Sequence, residues 1–232
     1  MFRKKDKVKG VHPGSAIDFW KEKIAMNGMR RGLFLAIIAV SSSAVTIAQA
    51  PGNKKGPAPP RLVFSVTSAA WQDGGEVPMR NAGRGENKSP AFEFHWSLAN
   101  DPASAPESLQ SYAVIFHDVE NSTNKTTADT LHWTAFNIPA TAKGLPEGLG
   151  SGDLPDGTRN GPGIAARGGN PGGYFGPGAG PGPIHHYVFE FYALDTKLDL
   201  PANATREDLL KAMDGHVVGK AAWFGRFHAP PQ

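Results

Sequence analysis

Asp118 and Glu120 stand two residues apart, as do His185 and Tyr187, and side chains two apart on an extended chain share a face. With His132 they supply two carboxylates, two imidazoles and a phenol. Such a set suits a phosphate or phosphoryl headgroup. Imidazole and amide donors hold the oxygens, while carboxylates orient the imidazoles or meet an ammonium group. Gly176 and the Gly-rich stretch around it let a ligand approach backbone N–H groups closely. An imidazole grips an anion best when protonated, so affinity is expected to fall as pH rises between about 6 and 8. His132, His185 and Asp118 are also of metal-ligating types, which opens a rival reading: a metal-dependent or His/Asp hydrolase acting on a small phosphorylated compound. Nothing in their spacing demands a metal. No catalytic residue, metal or cofactor is assigned, and His95, His117, His186, His216 and His228 read as structural.

Other chemistries lack their residues. The chain of 232 residues has no cysteine, which excludes disulfides, thiolate zinc sites and a thiol nucleophile. It has no GxSxG elbow, no phosphate-binding GxxxxGK[ST] loop and no HExxH helix. The formal charge is +3, yet residues 1–48 hold nine Lys/Arg against three Asp/Glu, so the rest of the chain is net negative. It has no basic stripe interleaved with aromatics, and nucleic acid is not expected as a partner.

The elements that must position these residues are mostly strands. Leu62–Thr67, Ala91–Trp96, Tyr112–Phe116, Leu131–Ile138, Tyr187–Leu194 and Val217–Phe227 are rich in β-branched and aromatic residues and have strand length. One helix is expected over 206–214, capped by Thr205 with Asp208 three residues on, stopped at Gly215, and with Leu209, Leu210 and Met213 on one face. Many strands with one clear helix predict a mainly β fold: an antiparallel β-sandwich with peripheral short helices. From Gly144 to Pro183, 22 of 40 residues are Gly or Pro, too many for strand or helix. A loop of that length commonly walls a site.

A series of short motifs then narrows the reading. Gly85-Glu86-Asn87-Lys88-Ser89-Pro90, the strand ending in Trp96, His132 with Asn137-Ile138-Pro139, Arg159-Asn160-Gly161, Tyr174-Phe175-Gly176-Pro177, His185-His186-Tyr187-Val188-Phe189, Tyr192-Ala193-Leu194-Asp195 and Gly215-His216-Val217 occur in this order. In order and spacing they resemble the bacterial, Raf-kinase-inhibitor-like branch of the phosphatidylethanolamine-binding protein family, over roughly residues 62–228. The departures lie in the first ligand loop, where Asp118-Val119-Glu120-Asn121-Ser122 lacks both prolines of the family's DPDxP, and at His186, which replaces the usual Arg. The resemblance implies a binding protein rather than an enzyme. Its site would be Asp118, Glu120, His132, Gly176, Pro177, His185 and Tyr187. Its partners would be a small anion such as phosphate or a phospholipid headgroup, a protein modulated in the manner of kinase or protease inhibition, and a second copy of the chain.

The domain plan follows. Residues 1–50 form a leader with an export signal from Arg30 to Ala50, residues 51–61 a Pro/Gly/Lys linker, and residues 62–232 the binding domain. Arg30-Arg31 precede the apolar run Leu33–Val40 and the small residues ending in Ala48-Gln49-Ala50. The run is short of the roughly 20 residues that span a bilayer. The expected mature protein is periplasmic or secreted, soluble and acidic, and begins between Val45 and Pro51. N-terminal sequencing of the protein from cells checks this; a product that keeps Leu33–Val40 in the membrane fraction contradicts it.

Overall fold

The computed structural model describes residues 60–231 except 123–124, so the leader, its cleavage site and nearly all of the linker lie outside the described residues. Ten strands make two sheets. They are β1 (Leu62–Thr67), β2 (Gly75–Glu76), β3 (Phe92–Leu98), β4 (Asp101–Pro102), β5 (Ser111–Asp118), β6 (Thr130–Pro139), β7 (Gly144–Leu145), β8 (Arg159–Asn160), β9 (His185–Leu194) and β10 (Val217–Phe227). The smaller sheet runs β1-β3-β4, with β7 also on β3; the larger runs β2-β10-β9-β5-β6-β8. The pairings are antiparallel apart from the short β2–β10 contact. This is the mainly β, two-sheet architecture expected from the strand signals, and none of the described helices is long and apolar enough to cross a membrane.

Alternation decides what each sheet buries. On β3, Phe92, Phe94 and Trp96 are buried while Glu93 and His95 are exposed. They pack with Phe64 and Val66 of β1 against Tyr112, Val114, Phe116, Phe189 and Phe191 of the larger sheet. Phe116 and Phe189 stack with centroids 3.9 Å apart. Each such ring buries on the order of 150–250 Å². The odd positions of β5, Ala113 and Ile115, face the opposite side and meet Leu209 and Met213 of the helix α1 (Arg206–Met213). β5 is therefore buried on both faces along its whole length. The α1 cap forms as expected: Thr205 accepts from the Asp208 amide and the Asp208 carboxylate accepts from the Thr205 amide. Leu210 departs from expectation. One residue round from Leu209, it is 40% exposed, because the helix buries only the narrow stripe that reaches Ile115.

Two register shifts interrupt the β5–β6 ladder, one between Phe116 and His117 and one between Tyr112 and Val114. At the second, Asn137 takes φ 56° inside a strand, and its side-chain amide accepts from the Leu198 amide and donates to the Leu198 carbonyl. Asn tolerates the left-handed region where most residues pay about 1–2 kcal/mol. Asn137→Ala should therefore destabilise the domain by about 2–4 kcal/mol through two lost bonds and backbone strain. Asn137→Gly should lose less, and urea unfolding of the pair measures the difference.

Candidate functional site

The inward face of β5 and β9 continues past the aromatic core until the sheets part. Asp118 pairs directly with Tyr187 in the ladder, two residues beyond the Phe116–Phe189 pair, so the strand period sends both side chains toward the same opening. His185 follows on that face one step further. His132 comes from β6 by another route. The shift between Phe116 and His117 sets an extra residue into β6, and such a bulge re-aims a side chain. His132 thereby meets the rings of Phe116 and Tyr187, at 5.2 and 5.3 Å between centroids, while the neighbouring Trp133 stays in the same core.

Asp118, His132, His185 and Tyr187 together line one cavity of about 410 Å³, closed by Asn121, Ile164, Arg167, Phe175 and Gly178 to Gly180. A larger groove of about 550 Å³ by Met79, Ile184, Phe227 and Pro230 is mostly apolar and holds no buried ionisable side chain. The cavity at the end of β5 and β9 is the better candidate, since it gathers buried groups able to orient a polar ligand.

Most of the polar atoms there are already engaged. Asp118 is 2% exposed, and its Oδ1 accepts from the amides of Glu120 and Asn121 at 3.1 Å each. Its Oδ2 lies 2.8 Å from His185 Nδ1. That bond fixes the His185 ring, with Nδ1 as the donor to the carboxylate. His132 Nδ1 is 2.8 Å from the Phe175 carbonyl, which can only accept, so Nδ1 carries the proton. Burial holds the His132 imidazolium down: its pKa is lowered from the ordinary 6.5, with the backbone bonds to Phe175 and Gly176 and the charge of Asp118 opposing and Arg167 adding least to the shift. Tyr187, wholly buried, accepts from the Ala179 amide at 3.2 Å. Burial and the neighbouring Asp118 raise its pKa, so it stays a neutral phenol.

The other expected site residues stand elsewhere. Glu120 turns to His186, accepting from its amide and its Nδ1 at 2.6 Å, outside the cavity lining. Gly176 and Pro177 are not among the lining residues either. The Gly176 amide donates to Asn87 Oδ1 at 2.8 Å, and a Cβ on Gly176 would overlap the Asn81 carbonyl. The glycine thus permits close packing of loop on loop rather than approach of a ligand to its N–H. Pro177 accepts from the Gly83 amide. Both hold Phe175 in place, whose carbonyl holds His132. Asn160 does similar work at the loop's other end, accepting from Trp133 Nε1 at 2.7 Å and donating to the Gly150 and Gly152 carbonyls. The long Gly/Pro stretch is an ordered wall.

Arg167 was missed by the sequence reasoning. It is the one charged residue between Asn160 and His185, and that isolation was the available signal. As for a metal, Asp118, Glu120 and His185 bring ligand atoms within 4.8 Å of one another. The oxygens of both carboxylates already accept hydrogen bonds, however: Asp118 from His185 and the amides of Glu120 and Asn121, and Glu120 from His186. The outlying histidines are paired too: His117 Nδ1 lies 2.5 Å from Asp129, His216 Nδ1 2.8 Å from Asp195.

A depressed His132 pKa has a consequence for stability. The unfolded chain takes up a proton near pH 6.5 while the native state does not, so native stability should fall as pH drops below about 6.5 toward the folded pKa. In urea unfolding at pH 7.5 and 5.5, His132→Gln should lose less stability on acidification than the wild type. Nitrogen-15 NMR at pH 7 should find the His132 proton on Nδ1.

Comparison with known proteins agrees with this site-bearing fold. The family model of the phosphatidylethanolamine-binding proteins matches residues 67–228. A UPF0098 protein of Methanothermobacter thermautotrophicus is 38% identical over 173 residues, covering 71% of this chain and 98% of that one. Among solved structures, a phosphatidylethanolamine-binding protein homologue from Chlamydia trachomatis has a TM-score of 0.59 at 26% identity, covering 72% of this chain and 99% of its own. Escherichia coli YbcL, described as a member of the mammalian family of such proteins, has a TM-score of 0.59 at 25% identity with the same two coverages. The chain belongs to the phosphatidylethanolamine-binding protein family.

Proposed function

We propose that this protein is an exported binding protein whose cavity takes a small phosphoryl anion, free or as a headgroup, and that it performs no catalysis there. One observation carries the reading. Two oriented imidazoles, His132 and His185, line a single small cavity with each Nδ1 tied back to the protein, which fixes how each ring faces a ligand. The Arg167 guanidinium adds a positive charge at the rim. Export rests on the leader, with its Arg pair and short apolar run. Modulation of a kinase or protease through the surface around the cavity, and self-association, belong to the same reading through the family.

The His185–Asp118 pair has the form of an oriented base, but the cavity lining holds no Ser, Thr or Cys for it to activate. This favours binding over hydrolysis.

His132→Ala and His185→Ala should each weaken phosphoethanolamine binding about tenfold to a hundredfold, the loss of one hydrogen bond to a charged group. Isothermal titration calorimetry on folded variants reads this. Unchanged affinity with a lowered melting temperature would give both residues a structural role only.

A further inference from the structure

Away from the cavity, on the opposite face of β5, stands another buried imidazole. His117 pairs with Val188 of β9 and Leu131 of β6 in the ladder and is 7% exposed. Its Nδ1 lies 2.5 Å from Asp129 Oδ2, a carboxylate oxygen that accepts, so Nδ1 carries a proton. Its Nε2 is sealed from solvent and has no hydrogen-bond partner. Glu190 Oε2 stands 3.8 Å from that nitrogen. In the neutral ring this is a lone pair turned toward a carboxylate, and buried polar atoms are rarely left so. A proton on Nε2 turns the same contact into an attraction between opposite charges.

The two carboxylates that flank His117 also seat α1. Arg206, the first residue of the helix, donates to Asp129 Oδ1, and its other arm is 3.9 Å from Glu190 Oε2. Glu190 further accepts from Lys220 of β10 at 2.9 Å and from the Tyr192 hydroxyl at 3.2 Å. The titratable and charged groups around His117 are thus Asp129 from the segment before β6, Glu190 and Tyr192 from β9, Arg206 from α1 and Lys220 from β10. Asp129, Glu190 and Arg206 are largely buried, whereas Lys220 is half exposed and screened by water. Arg206 works against an added positive charge, yet it is itself paired with both carboxylates. Beyond this cluster α1 rests on the sheet through Leu209 and Met213, a narrow apolar stripe.

We propose that His117 is a proton-driven latch for α1: uptake of a proton at Nε2 closes the contact with Glu190, ties β5 to β9 beneath Arg206, and tightens the seat of the helix as the surroundings acidify. A proton held by a native carboxylate adds stability below the ordinary imidazole range, about pH 6.5, and that gain is lost as pH rises through it. The sign is opposite to that of His132, where burial favours the neutral ring. The gain belongs to the helix seat, since both carboxylates bind Arg206. Export, as proposed above, would place the domain where pH is not held near neutrality.

Hydrogen exchange followed by NMR tests this. With each amide corrected for its intrinsic rate, the protection of 209–213 in α1 is taken relative to 114–116 in β5, which cancels changes in global stability. Between pH 7.5 and 5.5 this ratio should rise about threefold or more in the wild type, the effect of one partly screened ion pair. Glu190→Gln keeps the shape of the side chain and its bonds to Lys220 and Tyr192. In that variant the rise should vanish, and the His117 ring, read from its carbon and nitrogen shifts, should titrate at lower pH for want of the neighbouring carboxylate. His132→Gln should leave the rise intact. A wild-type ratio that stays flat or falls overturns the latch, as does an equal rise in Glu190→Gln. Loss of the rise in His132→Gln would assign it to the cavity imidazole and overturn the latch as well.

Discussion

The pairing of β5 with β9, clasped by the stacked rings of Phe116 and Phe189, is the contact on which the rest of this domain depends. β5 is buried on both faces, so its alternate residues build the inter-sheet core on one side and the floor under α1 on the other. Every ladder bond of a strand so buried is shielded from water, and every side chain on it is packed. Such a strand cannot slip its register, because a one-residue shift would exchange Phe116 for His117 in the core.

That rigidity is what the cavity uses. Asp118 and Tyr187 are the next inward pair along the same two strands, held by the same ladder but past the point where the small sheet covers them. A carboxylate at 2% exposure needs partners, and it has them in two backbone amides and His185. The loop wall is built on the same principle. Gly176 and Gly172 are glycines because other backbone passes where a Cβ would stand, and Asn87 and Asn160 satisfy the amides and carbonyls that the loop leaves without a ladder. A stretch with so little helix or strand becomes ordered because its polar backbone is answered by specific side chains.

Two consequences join in His132. The bulge in β6 turns it into the cavity, and the loop wall supplies the carbonyl that fixes its tautomer. The strand framework places the ring and the loop decides which of its nitrogens carries the proton. A cavity with this division of labour can change its lining through the loop, at Arg167 for instance, while the strands stay as they are.

Much of the fold was legible in the chain. The spans of β1 and β10 follow from their β-branched and aromatic content, and the cap of α1 from Thr205 and Asp208, because these are local patterns read by local physics. The pairing of Asp118 with His185 and Tyr187 was legible as residue types two apart on strands, though not as a contact. Other features were settled only by the tertiary structure. Glu120, which alternation puts beside Asp118, goes to His186 instead, because the chain leaves the ladder after Asp118 and the period-2 rule lapses with it. Gly176 looked like a place for ligand approach and is a place of loop packing, since which backbone passes near a glycine is a long-range fact. Arg167 enters the cavity from a turn with no periodicity at all. Residue types and spacing determined which chemistry this chain could hold; the bulge, the loop and their distant hydrogen-bond partners decided which side chains line the cavity and how they are turned.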